Sequence, residues 1–420
     1  MVFTISIILL SALILVHSVF NLISMIFSWN DPFSLEQRKS PKQFLPPKLS
    51  FTVLIPVRNE PVVIADTLKA MSKISYPKKL FEVLIMCRKD DQETLVVINQ
   101  ILQKLSDIEI KLVEVSTDID NKPKALNIGL RQTLNEIVTV FDAEDEPHPD
   151  ILNVINTVMI KTNSDVVQSG VQLMNHTSNW FSALNVLEYY FWFKSTLHFF
   201  SSLGVVPLGG NTVFIKRENL IKVGGWNESI LTEDADLGIR LSADNAKITI
   251  VYDEEHVTKE ETPSSIGQFI KQRTRWNQGF LQIFFSFSWL KLKGLKRKLL
   301  TSYMLFTPMI QGLWIIYLPL TILANITLKL PVGWALFSLL PAYVMFIQFI
   351  LLNYGMFEFT RDYQYKYSPL LVLRLLVSFF PYQILLTVSS LRAILRLVVG
   401  HAEWEKTAHI NEHRLATHAS

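Results

Sequence analysis

The sequence predicts an α/β domain on a mostly parallel sheet, joined to interfacial helices and α-helical transmembrane segments. Three observations predict it. Short apolar, β-rich runs alternate with helix-spaced segments between residues 51 and 142. Long uncharged stretches occupy both ends of the chain. Basic residues gather where those stretches meet the polar middle. Apolar residues are 49% of the 420, high for a soluble chain, and the formal net charge is +3. The cations form no single stripe, so nucleic-acid binding is not expected.

Segment 3–27 is long enough to cross a bilayer. It lacks a basic leading region and a small-residue cleavage site, so it reads as a retained anchor. No charge precedes Asp31, and Arg38, Lys39, Lys42 and Lys48 follow. The positive-inside rule then puts the N-terminus outside and the following chain in the cytosol. The polar, proline-bearing residues 31–50 read as a linker.

Strands are expected at 51–57, 81–87, 110–115 and 136–142, with helices at 61–73, 92–105 and 122–134 between them. Such alternation argues for a parallel sheet covered by helices on both faces. Ligands of these sheets bind at the carboxyl ends of strands, here 56–60, 88–91 and 142–145. Cys87, the single cysteine, sits in a strand-like run and reads as a small buried hydrophobe.

Residues 178–202 are crowded with Trp, Phe and Tyr, yet hold Glu188, Lys194 and His198. They read either as an interfacial amphipathic helix or as a buried core helix. Residues 264–290 have a similar character. Lys291, Lys293, Lys296, Arg297 and Lys298 then precede two uncharged runs, 299–328 and 330–357, broken only by Lys329. Spans are expected at 301–325 and 332–354, and a third apolar stretch covers 369–391 around Pro381. If the third crosses, parity puts the tail outside. If it is interfacial, the basic, aromatic tail stays cytosolic, which its composition favours. The resulting organisation is anchor 1–30, linker 31–50, α/β domain 51–260, interfacial region 261–298, membrane region 299–396 and tail 397–420.

Three clusters carry chemistry. FDAED (141–145) follows a strand, and Asp142 with Glu144 offers hard oxygen ligands suited to Mg2+ or Mn2+. Its bland counterpart is a loop of solvated acids before a helix. Glu233 and Asp234 open a helical pattern, where acids are common for dipole reasons alone, and where one can serve as general base. Gln272, Arg273, Arg275 and Trp276 place donors and an aromatic plate on neighbouring helix positions. A basic membrane-surface helix is the alternative there.

The ordered set Asp142, Glu233–Asp234 and Gln272–Trp276, followed by membrane spans, resembles the processive-type family 2 glycosyltransferases, the group of cellulose, chitin and hyaluronan synthases. EVLIMCRKDDQET, NKPKALN, PLGGN, VGGWNE and TEDADLGIRL look like one bacterial and archaeal branch, as does the W-x-K-T-x-H ending at 404–409. The resemblance implies a GT-A, Rossmann-like fold and a nucleotide-diphosphate sugar donor, with a UDP-sugar expected. It also implies inversion at the anomeric carbon and a multi-pass enzyme with a cytosolic catalytic domain. Pro56, Arg58, Glu60 and Asp90 or Asp91 match the nucleotide loops, although Arg-Lys-Asp-Asp replaces the usual Asp-Gly-Ser. Lys124 matches a basic residue near the diphosphate, and Asp142 and Glu144 match the metal motif. Gly209, Gly210 and Asn211 match the loop under the acceptor, and Asp234 matches the base, with Glu233 beside it. Gln272, Arg275 and Trp276 match the motif that closes over diphosphate and acceptor, and His409 is expected to act as a gate. The implied partners are the sugar nucleotide, a glycan or lipid-linked acceptor and membrane lipids. Polymer extension is the favoured product, with single-sugar transfer to a lipid carrier as the alternative.

Overall fold

A computed structural model describes residues 2–30, 32–105, 108–118, 121–327, 330–401, 403–407 and 409–416. Asp31 and Lys329, used above to bound the apolar stretches, lie outside the described residues.

Helix α1 (Val2–Asn30) leads into a short helix, Pro32–Gln37, inside the expected linker. Strands β1 (Phe51–Val57), β2 (Phe81–Arg88), β3 (Glu109–Val115) and β4 (Ile137–Val140) form the parallel half of a seven-stranded sheet. Every β4 residue is buried, as is every β1 residue but Pro56. That is why these strands are continuous apolar runs without alternation. Helices α2 (Ile64–Ser72), α3 (Gln92–Leu102) and α4 (Lys122–Gln132) connect them. α4 lies tight on the sheet: a Cβ on Gly129 would meet Leu54 at 2.9 Å and Met86 at 3.0 Å.

Beyond β4 come α5 (Ile151–Thr162), β5 (Val166–Ser169) and β6 (Val171–Leu173). Then follow α6 (Ser182–Phe191), a π-turn at Trp192–Thr196 and α7 (Leu197–Ser202). β7 (Val213–Lys216), α8 (Glu233–Ala243), β8 (Ile248–Val251) and β9 (Thr258–Glu260) complete the domain. The sheet order is β3-β2-β1-β4-β7-β5-β8. β7 runs antiparallel to both β4 and β5, while β5 and β8 are parallel. β6 and β9 pair separately.

The segment 178–202 is buried, as the core-helix reading requires. Its three polar residues all find partners inside the protein. Glu188 pairs with Arg273, and His198 Nδ1 lies 3.2 Å from Arg38. Lys194, 6% exposed, sits 3.2 Å from Asp362 and 3.6 Å from both Glu254 and Glu358. Ser195 fastens the π-turn to α1 through the Ser28 N–H (3.0 Å) and the Ser24 carbonyl (2.8 Å).

Helix α9 (Ile266–Ser286) carries the Q-x-x-R-W residues and is capped by Ser265. α10 (Leu295–Thr327) is bent by 50° between Leu295–Trp314 and Ile316–Thr327, just ahead of Pro319. Proline removes a helix hydrogen bond and crowds the preceding turn. α11 (Val332–Asp362) and α12 (Pro369–Val398) follow. By length and composition α1, α11 and α12 could each cross a membrane, and the bent α10 adds a fourth candidate.

α12 continues unbroken through Pro381 and packs along α9. Both of its ends touch the α/β side of the molecule. Near one end Arg374 donates to the carbonyls of Thr177 and Asn179. At the other, Arg396 donates to Gln278 (2.9 Å) and the Glu403 carbonyl (2.6 Å), and Arg392 grips Glu405. The tail therefore returns to the face from which α12 started.

Candidate active site

A cavity of about 650 Å³ opens at the carboxyl ends of β1 and β4. The predicted site residues line it, except Lys124, Asp90 and Asp91. Asp142, Asp234 and Trp276, widely separated in sequence, face one space. The cavity then continues among the apolar helices, past Asn21, Ser24, Gln311, Gln348 and Gln383.

The β4 end is built around Asp145. Fully buried, it accepts the Asp142 N–H (2.7 Å) and the side-chain amide of Asn211 (2.8 and 2.9 Å). Asn211 also donates to Glu260. Its amide is thus spent on the framework, holding the 209–211 loop against the acidic turn, where the resemblance pointed to the acceptor. Thr212, next in the chain, has φ 51°. A β-branched residue in the left-handed region is strained. Its N–H bonds the Val140 carbonyl at 2.8 Å, which holds it there.

Asp142 turns toward Lys122, which also donates to the Gly210 carbonyl (3.1 Å). Lys122 lines the cavity here, and Lys124, the lysine expected near the diphosphate, does not. The two lie two residues apart in the first turn of α4, on nearly opposite sides of the helix. The Asn121 cap, accepting the Lys124 N–H at 3.0 Å, aims Lys122 at the cavity. Burial alone would lower the Lys122 pKa, but Asp142, Glu233 and Asp234 outweigh it and raise it, fixing the ammonium.

Glu144 lines the cavity with Asp142 and also reaches the tail. His409 Nδ1 lies 3.2 Å from Glu144, and ligand atoms of Glu60, Glu144 and His409 all fall within 4.8 Å of one another. Lys406 pairs with Glu60 at 2.9 Å. Arg414 donates to the carbonyls of Glu144 (3.1 Å) and Asp145 (3.0 Å). Glu261 accepts the N–H groups of Ile410 (2.6 Å) and Glu412 (2.5 Å). The tail is thereby stitched over the Glu60–Glu144 end of the cavity. The W-x-K-T-x-H motif signalled His409 and Lys406; nothing local signalled Arg414, Glu260 or Glu261.

Burial and crowding set the charges. Burial, then repulsion from Glu144, pushes Glu60 up to about 7. The same two causes push Glu260 to about 7. Burial also raises Glu144, with His409 opposing it. Several close, buried oxygen ligands that resist ionising together form a donor set matched to a hard divalent cation.

Glu233 and Asp234 open α8. Burial, then its neighbour Asp234, pushes Glu233 up to about 7. Burial raises Asp234 as well, against the N–H of Ala235 and the charges of Lys122 and Arg275. Gly210 lets the loop approach: a Cβ there would lie 3.2 Å from Asp234 Oδ2. From the far side, α9 jams against the residue before these acids, since a Cβ on Gly279 would meet Thr232 Oγ1 at 2.4 Å.

Trp276 is backed by the Arg273 guanidinium at 4.4 Å and has Tyr189 beside it, ring centres 6.1 Å apart. Arg275 lies 5.5 Å from the Trp404 ring, linking α9 to the tail. Gln272 lines the cavity with a buried carbonyl oxygen that has no hydrogen-bond partner among the described residues.

Asp90 and Asp91 line an adjoining groove with Asn59 and Glu60. Asp91 is buried, accepts the Asn59 N–H at 2.5 Å and caps α3 through the Thr94 N–H. Asp90 is exposed and held by Arg88, which lowers its pKa. Asp91 thus shapes the loop, while Asp90 stands at the surface paired with Arg88.

An acid-lined cleft at the carboxyl edge of this sheet is the plan of a GT-A glycosyltransferase. The chain belongs to the family described as glycosyltransferase-like family 2, which matches residues 46–279. It is 24% identical over 377 residues to "Probable glycosyltransferase YdaM" of Bacillus subtilis, covering 88% of each chain. It is 27% identical over 245 residues to the "Beta-monoglucosyldiacylglycerol synthase" of a Nostoc species, covering 58% of this chain and 51% of that one. The chain thus spans about half the length of that synthase. Among solved structures it resembles the mannosyltransferase PcManGT from Pyrobaculum calidifontis, in complex with GDP-Man and Mn2+, with a TM-score of 0.55 and 17% identity, over 93% of this chain and 99% of that one. At that identity the likeness concerns the fold.

Proposed function

We propose that this glycosyltransferase is inverting and metal-dependent, and moves a sugar from a nucleotide diphosphate to a hydroxyl of a membrane-borne acceptor. The observation that carries the reading is the continuity of one cavity from Asp142 and Asp234, past Trp276, into the apolar helices.

Asp234 is the base: it accepts the acceptor proton as the hydroxyl attacks the anomeric carbon. Burial keeps it basic enough for that task. Glu233 supports it, and Lys122 keeps Asp142 and the Gly210 loop in place. Pro56, Arg58, Glu60 and Asp90 hold the nucleotide end. Gln272 and Arg275 meet the diphosphate from α9, and preorganised charge there stabilises the leaving group. Trp276 offers its free face to the acceptor sugar or headgroup. Mg2+ or Mn2+, held by Asp142 and Glu144 with Glu60 and His409 at hand, would neutralise diphosphate charge. The Mn2+ and GDP-Man named with PcManGT support this class of cofactor and donor.

The acceptor class favoured is a lipid or lipid-linked alcohol. The cavity reaches bilayer-facing helices, and the Nostoc relative is named for a diacylglycerol product. Polymer extension is the second reading, supported by the Trp276 platform and by the motif order shared with the synthases. Product length on a gel separates the two.

We place the catalytic face in the cytosol, with α1, α10 and α11 crossing and α12 lying at the interface, so that the tail reaches Glu60 and Glu144 from the same side. The six-part organisation given by the sequence is retained with that change. The decisive test of the mechanism is Asp234→Asn. It should bind donor with nearly unchanged affinity and lose about a thousandfold or more in transfer. Near-normal turnover would remove Asp234 as the base.

A further inference from the structure

Between Glu261 and Glu358 the chain contains no Asp or Glu. Its cations concentrate at 291–298, where α9 hands over to α10. Lys291, Lys293 and Lys296 are exposed, and among the described residues none has an ion-pair partner. The same stretch exposes large apolar groups: Phe285 (51%), Phe287 (54%), Leu290 (47%) and Leu295 (71%). Phe287 at φ 54° and Gly294 at φ 86° fold the segment into a compact elbow. Trp289 stacks on Phe284 beneath it. Apolar side chains and unpaired ammonium groups therefore share one surface, next to helices apolar enough to cross a bilayer.

We propose that this elbow docks on anionic lipid headgroups, and that the contact sets the position of α9 and hence the rate of transfer. The inference rests on the membrane reading above. Charge complementarity selects the occupant. A segment with several exposed lysines and no acid of its own gains little from neutral headgroups and much from phosphate-bearing ones, about fivefold in partitioning per lysine. The exposed Phe and Leu groups fit the depth just below the headgroups.

The coupling is steric. The elbow is continuous with α9, which carries Gln272, Arg275 and Trp276. Gln282, one turn before the elbow, accepts the Leu231 N–H at 2.9 Å. Gly279 closes on Thr232, immediately before Glu233 and Asp234. A shift of the elbow therefore reaches both sides of the cavity.

The test uses the full chain in nanodiscs, with a fluorophore on Ser286→Cys; Cys87 is buried and leaves the label specific. Brominated phosphatidylglycerol should quench at least threefold more strongly than brominated phosphatidylcholine at equal mole fraction. The contrast should vanish in the Lys291→Gln, Lys293→Gln, Lys296→Gln variant, which alters exposed residues only. Transfer by the unlabelled chain should rise at least fivefold from pure phosphatidylcholine to 30% phosphatidylglycerol, and not in the triple variant. Those figures are order-of-magnitude expectations, about one lysine's worth of lipid attraction. Equal quenching by the two lipids, as a protein occupant would give, overturns the docking. Selective quenching with a flat rate overturns the coupling to α9. A label on Leu340→Cys in α11 separates the two readings: if neither lipid quenches it, the membrane assignment itself has failed.

Discussion

Replacing Gly210 by alanine puts a methyl group where the structure leaves room only for the Asp234 carboxylate. The new Cβ would stand 3.2 Å from Asp234 Oδ2 and 3.7 Å from Lys122 Nζ. Carbon contacts relax at roughly 3.5 Å and beyond, so something must move by about 0.3 Å. The loop is the stiffer party. Lys122 holds the Gly210 carbonyl, the Gly209 N–H bonds Gln168 Oε1 at 2.9 Å, and Asn211 is clamped on Asp145. Asp234 is therefore the group that shifts. A misplacement of 1 Å costs about a hundredfold, so a few tenths should cost roughly three- to tenfold in kcat. Gly210 is not among the positive-φ glycines, so the fold should tolerate the change. The assay is initial-rate release of nucleoside diphosphate at saturating donor, alongside donor affinity and Tm in detergent. Donor affinity and Tm should hold while kcat falls, and Gly210→Val should fall further. An unchanged kcat would refute the placement of Asp234 as the proton acceptor beside this loop.

Three further expectations follow from contacts described above. Glu60, Glu233 and Glu260, all near 7, bind more protons folded than unfolded between the ordinary carboxylate range and neutrality. Stability should therefore decline as pH rises from about 4.5 to 7, while kcat/KM rises as the Glu233–Asp234 pair ionises; a Tm that is flat or increasing over that window contradicts the assignment. Gly279→Ala would gain about 1 kcal/mol at a free helix position, but its Cβ also meets the Thr232 backbone N at 2.7 Å. A net loss of about 1–2 kcal/mol is expected, and stabilisation in a melt would show that α9 is not jammed there. Lys406→Ala with His409→Ala removes charged contacts to Glu60 and Glu144, so transfer should fall about tenfold with circular dichroism unchanged; full activity would free the tail from any role at the donor end.

The parallel strands were legible because burial on both faces forces continuous apolar runs, and Phe51–Val57 and Phe81–Cys87 could hardly be anything else. The three acidic and aromatic clusters were legible through their order. What could not be read was orientation. Lys122 and Lys124 have the same chemistry, and only the Asn121 cap decides which one faces Asp142. The bonds of Asn211 to Asp145 and Glu260 could not be read either, because they depend on distant strands. The antiparallel β7 leaves no local mark that separates it from its parallel neighbours. The polar groups of 178–202 left the interfacial and core readings both open, because Asp362 and Glu358, which satisfy Lys194, lie far along the chain.

That last distance has a consequence for biogenesis. Lys194 and Asp362 are separated by 168 positions. At typical elongation rates the ribosome needs about 8 to 34 s to travel between them. Throughout that interval an ammonium group destined for the interior has only part of its counter-charge. The α/β body can assemble its sheet early, but its seam with α11 can close only after that helix has been synthesised.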